Sequence, residues 1–145
     1  MSPVIEVVAP RLLGPAVMVA AAIIVKGYAD VGDGFSAAVI VSLAVALRYV
    51  TLGAENAERS LRILRHAPAV TTGGLLVALG AGFAGVAFGY PPFTHFPPPG
   101  ADVVKIGTLE LITAVAFDIG LFLLVTGALV VLLHHLARLA GRWTR

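Results

Sequence analysis

Two carboxylates, Glu110 and Asp118, fall in the stretch GTLELITAVAFDIGLFLLVTGALVVLL, residues 107–133, whose other side chains are apolar or small and uncharged. On a helix they stand about 80° apart around the axis and about 12 Å apart along it, so they share one broad face. Carboxylates so placed can hold a cation, take up a proton, or pair with a cationic or hydrogen-bonding neighbour. Holding a charged Asp in hydrocarbon costs about 3 kcal/mol on insertion scales. Neutralising it at neutral pH, from an ordinary pKa of about 3.9, costs about 4 kcal/mol. Counting inward from the ends of the apolar segments puts Ser42 and Gly82 level with Asp118, while Arg48 lies nearer the cytoplasm. The chain thus offers Asp118 a hydroxyl but no cation at that depth. Asp118, Glu110 and Ser42 are therefore candidates for an ion path completed by another subunit. The competing reading is a buried Asp118 bonded to Ser42 or to main chain.

The elements that must position these groups follow from composition. The chain has 145 residues, 59% of them hydrophobic and 12% charged, with a mean hydropathy of +0.97. This balance points to an all-α integral membrane protein rather than a water-soluble domain. Apolar stretches bounded by Gly, Pro or charge predict four transmembrane helices near residues 7–27, 35–52, 70–89 and 109–134. Residues 1–145 then form one four-span membrane domain without room for a soluble catalytic domain, so no enzymatic activity is expected. The absence of cysteine excludes disulfides and thiolate-ligated metal centres on this chain, and no cofactor or metal is expected. The basic residues sort by membrane side, so the net charge of +2 carries no nucleic-acid meaning.

The 53–69 connection, containing AENAERSLRILRHAP, sets Glu55 four residues before Arg59 and Glu58 four before Arg62, the favourable order for helical ion pairs. A short helix at the membrane interface, ending before Pro68, is expected. The 90–108 segment, YPPFTHFPPPGADVVKIGT, holds five prolines and reads as a semi-rigid loop on the outer side. Glu6 precedes the first basic residue and Pro10 and Pro15 interrupt the first apolar stretch, which favours a retained, proline-kinked span over a cleaved leader.

The third segment, GGLLVALGAGFAGVAFG, places Gly74, Ala78 and Gly82 in one row and Ala81, Gly85 and Gly89 in another. Gly74, Gly82 and Gly85 are accordingly assigned to close helix packing on two sides. Its GAGFAG matches a dinucleotide-binding fingerprint in letters only, since no strand, turn and helix start surround it. His134 and His135 are adjacent and so point to different helix faces, a poor metal pair. His95 sits in the loop, where solvation rather than proton relay is the simpler reading.

Two stretches together resemble the B subunit of Mrp (Mnh) type multisubunit sodium/proton antiporters. One is RLLGPAVMVAAAIIVKGYADVGDGFSAAVIVSLAVAL, whose turn keeps Gly32, Gly34 and Phe35 of a Pro-Gly-Gly-Gly-Phe pattern. The other is GTLELITAVAFDIGLFLLVTGALVVLL, in which Glu110, Thr113, Phe117, Asp118 and Gly120 match. The resemblance implies a four-span subunit in a prokaryotic cell membrane, working with other subunits of an Mrp-type complex to exchange sodium for protons, with Thr113 added to the ion-path candidates. A purely structural subunit, or a B-type membrane subunit of a redox-driven hydrogenase or ferredoxin-dependent complex, is the alternative.

Orientation follows from charge. Arg11, Arg48, Arg59, Arg62, Arg65, Arg138, Arg142 and Arg145 lie on the side of the termini, against Lys26 and Lys105 opposite, which places both termini in the cytoplasm. Single cysteines introduced within 53–69 are expected to react with an impermeant thiol reagent only from the cytoplasmic face, and one at Pro98 only from outside. The reverse labelling pattern would overturn the orientation.

Overall fold

Glycine or proline marks the start of α2, the start of α3 and the end of the segment after α3. The computed structural model describes residues 3–25, 32–61, 65–97, 102, 105–106, 109–110 and 112–143. Helix α1, Pro3–Val25, runs through Pro10 and Pro15. Helix α2, Asp33–Ser60, is broken at Gly53, whose φ of 75° and ψ of 161° leave the helical region. Only glycine takes that conformation readily, so the 54–60 turns leave the axis of the 33–52 segment. Within them Arg59 donates to Glu55 at 2.7 Å, an exposed pair worth about 0.3–0.5 kcal/mol. The expected partner of Glu58, Arg62, lies outside the described residues.

Helix α3 spans Ala67–Phe83 with Pro68 in its first turn, where a missing N–H costs nothing. Pro68 thus opens α3 rather than closing the preceding helix. A 3₁₀ segment, Ala84–Phe88, follows and ends at Gly89 in the left-handed conformation, φ 82°. Two-residue strands β1, Lys105–Ile106, and β2, Leu109–Glu110, pair antiparallel with Lys105 opposite Glu110 and Ile106 opposite Leu109. Helix α4, Thr113–Trp143, comes last.

The expected start of the fourth helix is therefore corrected. Glu110 belongs to a strand, so it shares no helical face with Asp118. Its neighbours include Val103, Val104, Ile106 and Thr108, β-branched residues that favour extended backbone, and a short ladder satisfies peptide groups that a helix would otherwise have to pair. The side chain of Glu110 lies outside the described residues.

Helix α4 packs against both α2 and α3, and α1 packs on α2 with only slight contact to α4, so the helices lie in the order α1, α2, α4, α3. The buried positions are mostly small: Ala9, Ala20, Ala37, Ala38, Ala44, Ala57, Ala67, Ala78 and Ala114. Small side chains let backbones approach, which is how helices gain van der Waals contact where the surrounding lipid is as apolar as they are. A Cβ on Gly120 would lie 2.5 Å from the Ala78 nitrogen, and one on Gly74 would overlap the main chain of Leu124. The α3–α4 contact is thus backbone against backbone.

The two-sided neighbours expected for α3 are not both helices. Gly74 faces α4, but Gly82 lies under the ring of Phe93 and Gly85 under Phe96 and Thr94, all from the loop that follows. Leu75, Leu76, Leu79 and Val86 remain exposed. All four helices are long and apolar enough to cross a membrane, which accounts for this apolar exterior.

Replacing Gly120 by Ala should force α3 and α4 apart at their tightest point and destabilise the fold by about 1–3 kcal/mol. The check is the thermal midpoint of the purified protein, with Gly14→Ala, where a Cβ meets nothing within 4 Å, as the control. Equal midpoints would show that the contact yields without cost.

Candidate functional site

Asp118 lies in the second turn of α4 and is 6% exposed. Its Oδ1 accepts a hydrogen bond from the Gly32 main-chain N–H at 3.0 Å. Gly32 is the N-cap of α2, with φ 127° and ψ −11°, a backbone conformation that glycine alone takes without strain. Two residues on, Gly34 lies directly on the Asp118 main-chain carbonyl, leaving no space for a Cβ. The two glycines act differently: Gly32 turns a donor toward the carboxylate, and Gly34 lets α2 come near enough for the bond to form. The N-terminus of a helix presents unpaired N–H groups and a partial positive charge. Asp118 supplies an acceptor to it. Phe35, the third residue of the turn motif, is 53% exposed.

This geometry corrects the expected depth of Asp118. Because α4 begins at Thr113, the carboxylate is only about 7 Å along the axis from the helix start, level with Gly34. Ser42 is about 12 Å further along α2. It is 4% exposed and its Oγ has no hydrogen-bond partner among the described residues, so it does not serve Asp118. Main chain, not Ser42, is the partner.

Thr113 ties a loop to the start of α4. Its N–H donates to the Phe96 carbonyl at 2.9 Å, its Oγ1 accepts from the Phe96 N–H at 2.7 Å, and His95 Nδ1 stands 3.4 Å from the same oxygen. The loop carries Phe93 against Phe83 and Phe117, with His95 also beside the Phe117 ring. This aromatic group closes the α3–α4 end next to Asp118.

Sequence reasoning missed a polar cluster at the opposite ends of the helices. Glu58 Oε1 is 2.6 Å from His134 Nδ1, and Glu58 Oε2 is 3.6 Å from an Arg138 nitrogen. The shorter contact is an ion pair when the imidazole is protonated, and Glu58 Oε1 has no hydrogen-bond partner among the described residues. A cavity of about 600 Å³ opens here, lined by Glu55, Glu58, Arg59, Arg65, His134 and Arg138 among others. His135 lines the same cavity, its Nδ1 2.8 Å from the Val131 carbonyl. Arg48 is more than an orienting charge. It donates to the Pro10 carbonyl of α1 and, at 3.4 Å, to Ser60 Oγ, joining α1 to the turns beyond Gly53. The i,i+4 charge pattern around Glu58 hides its tertiary partners, because it is satisfied equally well within one helix. Among the described residues no three His, Asp or Glu side chains gather as a metal site.

A family profile described as "Domain related to MnhB subunit of Na+/H+ antiporter" matches residues 4–131, which include both sides of the Gly32–Asp118 contact. The chain belongs to the MnhB family. A relative of this MnhB-family chain, the A/B subunit of a "Probable K(+)/H(+) antiporter" of Rhizobium meliloti (strain 1021), is 36% identical over 128 residues. The match covers 88% of this chain and 12% of that relative. The MnhB-family chain thus spans a small part of the curated relative it matches.

If Gly34 serves close approach, Gly34→Ala should separate the α2 start from Asp118 and lower the yield of folded MnhB-family protein severalfold, whereas Phe35→Ala on the exposed side should not. Comparable yields and thermal midpoints for both variants would contradict a contact at Gly34.

Proposed function

We propose that this chain is a subunit of a multisubunit monovalent cation/proton antiporter in a prokaryotic cell membrane. It works beside other membrane subunits, with both termini in the cytoplasm, and catalyses no covalent chemistry. The family description and the relative's name support the antiporter reading; one names sodium and the other potassium, so the cargo is taken as a monovalent cation. Asp118 has two parts in this reading. It anchors α2 to α4, and its ionisable carboxylate borders the ion path.

The observation that carries the second part is the partner. A main-chain N–H asks only for an acceptor, and an Asn carbonyl serves a helix N-terminus as well as a carboxylate does. A carboxylate near the end of a membrane span costs up to about 3 kcal/mol, more than the anchor requires. A titratable group there fits proton or cation handling, the usual reason ionisable residues persist within membranes.

In the assembled complex reconstituted in liposomes, Asp118→Asn should preserve assembly and reduce cation-driven proton release about tenfold or more. Asp118→Leu, which also leaves Gly32 N–H without its acceptor, should lower complex yield as well. Unimpaired exchange by a fully assembled Asp118→Asn complex would reduce Asp118 to an anchor. A purified complex that exchanges no monovalent cation for protons would refute the antiporter reading itself.

A further inference from the structure

Three hydroxyl oxygens are buried without a hydrogen-bond partner among the described residues: Ser42 Oγ, Tyr49 Oη and Thr126 Oγ1. Other hydroxyls of this chain show the usual solution within an apolar helix. Thr51 donates to the Leu47 carbonyl at 2.8 Å, Thr71 to Ala67 at 2.8 Å and Thr72 to Pro68 at 3.1 Å. Ser42 and Thr126 have the same kind of carbonyl one turn back and are not bonded to it. Leaving a buried hydroxyl unpaired costs about 1–3 kcal/mol, and native proteins meet that need with ordered water where the site is polar.

Ser42 and Tyr49 lie on α2 and Thr126 on α4, the two helices that pack together. Helices α2 and α4 run in parallel and advance in step: Gly34 lies on Asp118, Phe122 packs on the group containing Ala37 and Val41, and Val130 packs with Val45 and Tyr49. This register sets Ser42 level with Thr126. Asp118, Thr126 and His134 recur at eight-residue intervals on α4, winding about 80° around the axis at each step, and the seam ends where Glu58 meets His134 at 2.6 Å. From Asp118 to His134 the axial distance is about 24 Å, most of a hydrocarbon layer of about 30 Å. Polar groups therefore mark both ends and the middle of a path that otherwise has Ala, Val and the Phe122 ring beside it.

We propose that the α2–α4 seam holds a file of water molecules that carries protons between the Glu58–His134 pair and Asp118, with Tyr49, Thr126 and Ser42 as its fixed hydroxyl stations. A hydroxyl both donates and accepts. When a proton arrives on its oxygen, a new O–H bond forms there and the original O–H bond breaks toward the next water. The hydroxyl then turns back, and no electron is transferred. His134 Nδ1–H or protonated Glu58 releases the proton at one end and the Asp118 carboxylate receives it at the other, or the reverse. The proposal rests on the antiporter reading above and adds a route to it.

The test uses the assembled complex in liposomes, with Ser42→Ala and Thr126→Val combined, a pair that keeps side-chain volume but removes both central hydroxyls. Cation-driven proton release should fall about tenfold with complex yield unchanged, and Thr126→Ser, which retains the hydroxyl, should stay within about twofold of the parent. A second readout on the unaltered complex is a short radiolytic pulse, which oxidises aromatic rings touching trapped water. Tyr49 and Phe122 should be labelled despite their packing. Exchange by the double variant at the parent's rate, or an absence of label at both rings, would overturn the seam while leaving the antiporter reading intact. If the parent complex exchanges no cation for protons, the antiporter reading fails, and the label alone then decides whether the seam is hydrated.

Discussion

The contact on which the arrangement depends is the backbone approach of α2 to α4 at Gly34 and Asp118. A helix entering a membrane must satisfy the N–H groups of its first turn without water. Gly32 meets one part of this requirement by presenting its N–H to a carboxylate on a neighbouring helix, and Gly34, having no side chain, lets the helices come close enough for that bond. Capping and helix docking are thereby one event. Separating the helices would expose an unpaired donor and an unpaired carboxylate together, each costing kilocalories in an apolar medium.

From that contact the rest of the order follows. Helix α4 meets α2 along one side and α3 along the other, where Gly74, Ala78 and Gly120 bring main chains together. Helix α1 is held on the outer side of α2, with Arg48 reaching the Pro10 carbonyl. Such a row buries alanine and glycine and leaves its long aliphatic side chains outward. In water that surface would be a liability; against acyl chains or neighbouring apolar helices it is the ordinary exterior of a membrane subunit.

The two ends of the α2–α4 pair have different electrostatic characters. At one end a carboxylate faces a helix N-terminus, whose dipole favours negative charge. At the other, Gly53 turns the last part of α2 so that Glu58 can reach His134 and Arg138. Neither end is closed within its own helix. A helix rigid through Gly53 would carry Glu58 onward along the axis, and the polar cluster would have to form elsewhere.

Four apolar helical segments, the special status of Asp118 and the motif glycines are legible in the sequence because they report the medium around each residue, and hydropathy and residue size record that medium directly. The partner of Asp118 is not. Ser42 has the right chemistry, yet the bond goes to a main-chain N–H, a donor that nearly every residue carries and that no pattern of side chains can single out. The fate of Glu110 was equally hidden, since a two-residue ladder competes with the first turn of a helix by small differences that the 113–96 tie settles from outside the segment. Glu58 satisfied a helical charge pattern and still found its partners on α4. The sequence by itself determined which segments are apolar helices and which polar groups must be accounted for among them. Only the tertiary structure decided who meets whom, because pairing depends on helix register and on the angles set at Gly32 and Gly53, where backbone conformation rather than side-chain chemistry directs the chain.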